Sequence, residues 1–336
     1  MKSALLTGAA VLALMSFGAT GALARDQIQI VGSSTVFPFS TAVAERFGQA
    51  GSFPTPVVES TGTGGGLKLF CESAGEQSPD ITNASRKIKD SEIDTCVANG
   101  VTPVEIKIGF DGIVLANATA APAFAVTLDQ IVAALAKDIV VDGKVVPNTH
   151  VNWSDVDPSL PNEKIEVLGP PPTSGTRDAF VELVMAAHCP AEIKAADEKA
   201  CAAIREDGAY VDSGENDNLI VQKLETNAAA VGIFGYSFLD QNSDKLKGAS
   251  VDGVMPTFEN IANASYPVSR SLYFYIKKEH VGAVKGIQEY AAEFTSDAAA
   301  GVDGYLADKG LIPLPEADLV AARQAAIDLT LVAKSK

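Results

Sequence analysis

Histidine is scarce in this 336-residue chain, with only His150, His188 and His280. Their scatter leaves no dense Asp/His cluster of the kind that metal-dependent phosphoester chemistry needs. A G-x-S-x-G elbow is absent, and His188 follows the Thr173–Thr176 segment by about three helical turns, too far from Ser174 to serve a hydrolase triad. Cysteine is limited to Cys71, Cys96, Cys189 and Cys201, with no CxxC spacing to favour zinc. Positive charge is short as well: 26 Lys and Arg stand against 42 Asp and Glu, a formal net of −16. Such a field repels polyanions and excludes nucleic acid or an anionic membrane surface as a partner. Long apolar runs are missing beyond residue 17, and a span needs about 20 residues. No internal repeat and no Pro/Gly/Ser linker divides the chain. Catalysis is poorly supplied, and no cofactor or metal is expected.

What is present begins with a leader. Lys2 precedes the apolar stretch Leu5–Phe17, and Ala22-Leu23-Ala24 fits the small-x-small rule for cleavage. Residues 1–24 are therefore expected to be a cleaved signal peptide, which implies a periplasmic protein. No Cys follows the small residues, so a lipid anchor is not expected. Without Lys2 the net charge becomes −17. In an oxidising compartment an even cysteine count suggests disulfides. Three pairings exist; Cys71–Cys96 with Cys189–Cys201 is favoured because each encloses one local segment. Zinc ligation and free buried thiols are the alternatives.

Strand and helix patterns alternate throughout. Gln27–Val31 reads as a strand and Pro38–Phe47 as a helix. Gly64–Gly66 leads into a helix over Leu67–Ser73. Val104–Ala116 reads as a long strand interrupted at Asp111-Gly112, and Val268–Lys277 as another strand. The alternation predicts an α/β fold with mostly parallel sheets. Two domains joined by long crossing strands suit the missing linker, and these two strands are the candidates.

Three segments share one chemical design, a strand followed by Ser, Thr or Gly and then a helix. They are Gly32–Thr35, Ser60–Gly66 and Thr173–Thr176. A fourth, Asn83–Arg86, adds a cation. Helix starts leave backbone N–H groups unpaired and carry partial positive charge, glycine permits close approach, and hydroxyls add short donors. Each alone is an ordinary N-cap pattern. Four together predict a site for a small oxyanion, held by local donors against an unfavourable overall field. Gly62–Leu69 resembles a P-loop, but Leu67 stands where the Walker pattern requires Lys.

At these segments the chain resembles the periplasmic phosphate-binding proteins of phosphate ABC importers, the PstS family. The likeness runs over residues 27–330 through GSSTVFPF (32–39), STGTGGG (60–66), DITNASR (80–86), FDGIVLA (110–116), TSGTRDAF (173–180), AVGIFGYSF (230–238) and SRSLYFYIK (270–278). The resemblance implies a type II-like Venus-flytrap protein, with one domain from 25–110 plus 270–336, the other from 111–269, and phosphate in the cleft between them. It further implies a monomer that delivers phosphate to the transmembrane subunits of an ABC permease. The implied phosphate-binding residues are Ser34, Thr35, Val36, Thr63, Gly64, Ser85, Ser174, Gly175 and Thr176. Two positions depart from the family. Arg86 stands where many members carry Asp, and Pro170 where many carry Arg. The positive charge is then expected to have changed segments, with Arg86 and Arg177 facing the anion. Asp111, Asp178 or Glu59 is the candidate to replace the lost carboxylate. Sulfate, arsenate, molybdate or a phosphorylated small molecule is the alternative ligand, and an exported phosphatase on the same fold is the alternative class.

Overall fold

The computed structural model describes residues 25–214 and 216–334; the expected signal peptide at 1–24 lies outside them. Its frame is one nine-stranded sheet. The strands are β1 (Gln29–Gly32), β2 (Val57–Val58), β3 (Ile81–Ala84), β4 (Pro103–Ala118), β5 (Val167–Gly169), β6 (Tyr210–Asp212), β7 (Val231–Gly235), β8 (Leu246–Gly248) and β9 (Ser269–Lys277). They run in the order β2-β1-β3-β9-β4-β7-β5-β6, with β8 also on β4. The sheet is mixed rather than mostly parallel. β1–β2, β1–β3, β5–β7 and β5–β6 are parallel, whereas every pairing of β4 or β9 is antiparallel. Short βαβ units thus build each flank, and two long strands sew the flanks together.

Both long strands lie where the sequence places them, but β4 is not broken at Asp111-Gly112. Its residues 103–112 pair with β9, and its residues 113–118 pair with β7 and β8. The turn preference of Asp-Gly is overridden because Asp111 lies directly across from Arg270 and Gly112 across from Ser269. One irregularity interrupts the β4–β9 ladder. Tyr273 faces Lys107 and Leu272 faces Gly109, leaving Ile108 as the extra residue of a bulge. Ile106, Ile108, Phe110, Leu272, Phe274 and Ile276 are buried in the core that this ladder shares with the flanking helices.

Helices α1 (Phe37–Gln49), α2 (Thr63–Phe70) and α3 (Asp90–Ala98) cover the β1–β3 flank. The glycine tract was expected to lead into a helix, but Gly64–Gly66 form the first turn of α2 itself. Close packing explains this. A Cβ on Gly66 would stand 2.4 Å from the Gly32 Cα, and Gly32 has φ of 122° and no room for a Cβ beside the Asn83 carbonyl. The starts of α1 and α2 and the end of β3 can therefore crowd one sheet edge. Cys71 and Cys96 join the end of α2 to α3, and Cys189 joins Cys201, which is the favoured local pairing.

At the opposite end of β9 lies a buried charge cluster. Asp80 has no solvent exposure and accepts from Arg25 at 2.5 Å, His280 Nδ1 at 2.6 Å and the Gln29 N–H at 2.7 Å. Lys277 is equally buried; its Nζ donates to the Ser73 carbonyl and the Ser78 hydroxyl. Burial pushes the Lys277 ammonium down to about 8.

Two outcomes follow from this packing. Non-reducing peptide mapping will recover Cys71–Cys96 and Cys189–Cys201 linked peptides and no crossed pair. Asp80→Ala leaves buried cations without their carboxylate and will cost about 3–5 kcal/mol of stability in denaturant unfolding.

Candidate anion-binding site

A cleft of about 420 Å³ opens where the two flanks meet. Thr35 comes from the loop before α1, and Ser174, Gly175 and Thr176 come from the start of a helix, α4 (Gly175–Phe180). Asp111 from mid-β4, with Phe39, Asn216, Asp217, Phe238 and Lys309, adds to the wall. The two hydroxyl-bearing loops approach closely, since a Cβ on Gly175 would lie 3.1 Å from the Ser34 carbonyl oxygen.

Hydrogen bonding within the protein decides what each hydroxyl has left to offer. A Ser or Thr oxygen has one proton and two lone pairs. The Ser174 oxygen accepts from the Thr176 N–H at 3.2 Å as an N-cap. The Thr35 oxygen accepts from Arg270 Nη2 at 2.7 Å. In both cases a lone pair is used and the proton remains free to donate. Ser34 is the reverse: its hydroxyl donates to Asp178 at 2.9 Å and has no proton to spare. The Val36 N–H faces Ser33 Oγ at 3.4 Å, a long contact that leaves it weakly satisfied.

Thr63, Gly64 and Ser85 do not line this cleft. Thr63 Oγ1 accepts from the Ser85 N–H at 3.1 Å and lies 3.0 Å from Ser85 Oγ, so one hydroxyl proton is spent between them and one remains. The pair joins the start of α2 to the end of β3.

Neither expected cation faces the cleft. Arg86 forms a two-pronged pair with Glu92 at 2.8 and 2.9 Å and also donates to the Lys87 carbonyl. Glu92 additionally accepts from the Lys89 N–H at the start of α3. Burial works to raise the Glu92 carboxyl, but the Arg86 fork and that N–H bring it below its ordinary value. Arg177 stacks 4.2 Å over the Tyr210 ring and reaches the Pro170 carbonyl, within a separate cavity on the other face of α4.

The buried cation beside the cleft is Arg270, which has no helix-start signature in the sequence. Its side chain is 7% exposed. Nη2 donates to Thr35, Nε to Asp111 at 3.3 Å and Nη1 to Glu182 at 2.6 Å. The signal lay in SRSLYFYIK, where an arginine opens an otherwise apolar strand. Its partner is 159 residues away, so only strand register reveals it. Burial raises the Asp111 carboxyl above its ordinary value, although the Arg270 guanidinium pulls the other way.

The cleft therefore offers hydroxyl and backbone donors at a helix start, a shared guanidinium beside them, the Lys309 ammonium and the carboxylates of Asp111 and Asp217. Such donors, converging on a concave site, can bind and orient a small ligand. Two α/β flanks sewn by crossing strands around such a cleft define a two-lobed solute-binding protein. The chain belongs to the PBP superfamily, whose domain model matches residues 18–298. The protein SphX of Synechococcus elongatus is 31% identical over 89% of this chain and 81% of the relative. The phosphate-binding protein PstS of Staphylococcus saprophyticus is 31% identical over 85% of this chain and 80% of its own length. The crystal structure of a possible phosphate binding protein from Planctomyces limnophilus superposes with a TM-score of 0.74 at 29% identity, covering 90% of this chain and 98% of that one.

Arg270→Ala will weaken oxyanion binding about 10-fold or more, because Thr35 loses its orienting donor and Asp111 its counter-charge. Arg86→Ala will leave affinity within about twofold and cost roughly 1 kcal/mol of stability. The Glu92 carboxyl is depressed in the folded state. The Arg86–Glu92 contribution is thus present above the ordinary carboxylate range and fades as pH falls through the folded value. Arg86→Ala and wild type should converge in acid denaturation at the low-pH end.

Proposed function

We propose that this protein captures inorganic phosphate in the interlobe cleft and delivers it to the transmembrane subunits of an ABC permease. In this reading it works in the periplasm, as a monomer and without catalysis. Residues 25–110 with 270–336 act as one lobe and residues 111–269 as the other, closing on the anion by hinge motion. The observation that carries the reading is the state of Thr35 and Ser174. Both oxygens are already used as acceptors by the protein, so both protons are left for a ligand oxygen. Neutral donors of this kind hold an oxyanion without collecting positive charge, which suits a chain of net charge −16.

Asp111 supplies selectivity. Hydrogen phosphate carries a proton near neutral pH and sulfate does not. A carboxylate on the cleft wall accepts that proton from phosphate and repels sulfate, whose oxygens are all acceptors. Similarity to the phosphate-binding protein PstS of Staphylococcus saprophyticus supports the same ligand.

Titration calorimetry against phosphate, sulfate, arsenate and molybdate tests the reading. Phosphate will bind in preference to sulfate and molybdate; arsenate, with the same proton, will compete. Turnover of a chromogenic phosphomonoester would sink the binding-only reading, and stronger binding of sulfate would sink the phosphate reading. Asp111→Asn will reduce phosphate-over-sulfate selectivity about 10-fold or more by turning an acceptor into an amide that can also donate. The wild type will lose selectivity as pH falls. Because burial raises the Asp111 carboxyl, the loss will begin above the ordinary carboxylate range.

A further inference from the structure

Asp178 in the first turn of α4, and Glu182 in the helical segment that continues it, face the opposite flank rather than the cleft. Asp178 accepts from the Ser34 hydroxyl at 2.9 Å across a sequence separation of 144 residues. Glu182, one turn further along in the segment Val181–Ala186, pairs with Arg270 at 2.6 Å. Ser34 adjoins Thr35 in the anion loop, and Arg270 is the donor that orients Thr35. The helix that presents Ser174, Gly175 and Thr176 to the cleft is therefore fastened, four residues later, to the loop that presents Thr35. Neither carboxylate lines the cleft. Beside a site for an anion, two carboxylates are costly on electrostatic grounds alone. A closing role accounts for their place.

We propose that Asp178 and Glu182 are positioning residues that latch the two lobes, holding the Thr35 loop against the start of α4. They act by raising the population of the closed arrangement, not by touching the ligand. Apparent affinity scales with the fraction of molecules in the binding-competent state. Weakening the latch must then lower affinity and speed release, with ligand selectivity unchanged. Electrostatics without a latch demands the opposite sign: removing two negative charges near an anion would raise affinity.

The affinity arm rests on the cleft being the phosphate site; a second arm does not. Asp178→Ala/Glu182→Ala keeps helix-favouring residues at both positions. Against inorganic phosphate, the double variant is expected to bind roughly 3- to 20-fold more weakly than wild type, chiefly through faster dissociation, with the same phosphate-to-sulfate ratio. Ser34→Ala should lose as much as Asp178→Ala, and the pair together no more than either alone. Unchanged or increased affinity overturns the latch, as does an additive loss in the Ser34/Asp178 cycle. Small-angle scattering supplies the independent arm. Without added anion, the double variant should have a larger radius of gyration than wild type, and identical curves overturn the latch. Wild type that binds no phosphate refutes the functional reading, and the scattering comparison still decides the latch.

Discussion

The Arg270–Asp111 pair sets the geometry on which the cleft depends. These residues are cross-strand partners on the two long strands, at the point where β4 changes neighbours. Their register therefore brings a guanidinium to the junction of the two flanks. From there Arg270 reaches three elements: β4 through Asp111, the α1 loop through Thr35 and the segment that follows α4 through Glu182. A guanidinium is suited to this because its donors lie in a fixed planar fork and it stays charged at any working pH. Lysine at the same place has no such fork.

The same pair resolves an apparent conflict between charge and ligand. A strongly acidic protein that holds an anion cannot rely on its mean field. Arg270 is largely neutralised by its carboxylate neighbours, so its main effect on the cleft is orientational. By donating to Thr35 it fixes which way that hydroxyl proton points. Ser174 is fixed in the same manner by the backbone of its own helix. Donors ordered before the ligand arrives do not have to be reorganised when it binds.

Much of this was legible in the sequence, and the exceptions have a common cause. Thr35 and the Ser174–Thr176 cap depend on local chemistry, in which a residue type and the helix after it suffice. The two long strands announced themselves by β-branched and aromatic runs. The mixed sense of the sheet was not legible, because it follows from the antiparallel return of β9 between β3 and β4. Arg86 is expected at the anion from its place in a helix-start motif. The structure gives its fork to Glu92, only six residues away at the start of α3. Arg270 and Asp111 carry no local signature as a pair; long-range register alone joins them. Thr63 and Ser85 were each expected at the anion, and instead bond to one another where α2 crowds β3.

The bulge at Ile108 has a mechanical meaning. β9 is clamped at its far end, where Lys277 is buried beside the Asp80 cluster, and carries Arg270 at its near end. A strand fixed at one end and loaded at the other behaves as a cantilever. An extra residue in the facing strand weakens the ladder locally and adds twist there. Relative movement of the flanks would then be absorbed as torsion between the bulge and the Arg270–Asp111 rung. The remainder of the ladder, and the buried charges beneath it, would stay in register as a stiff base.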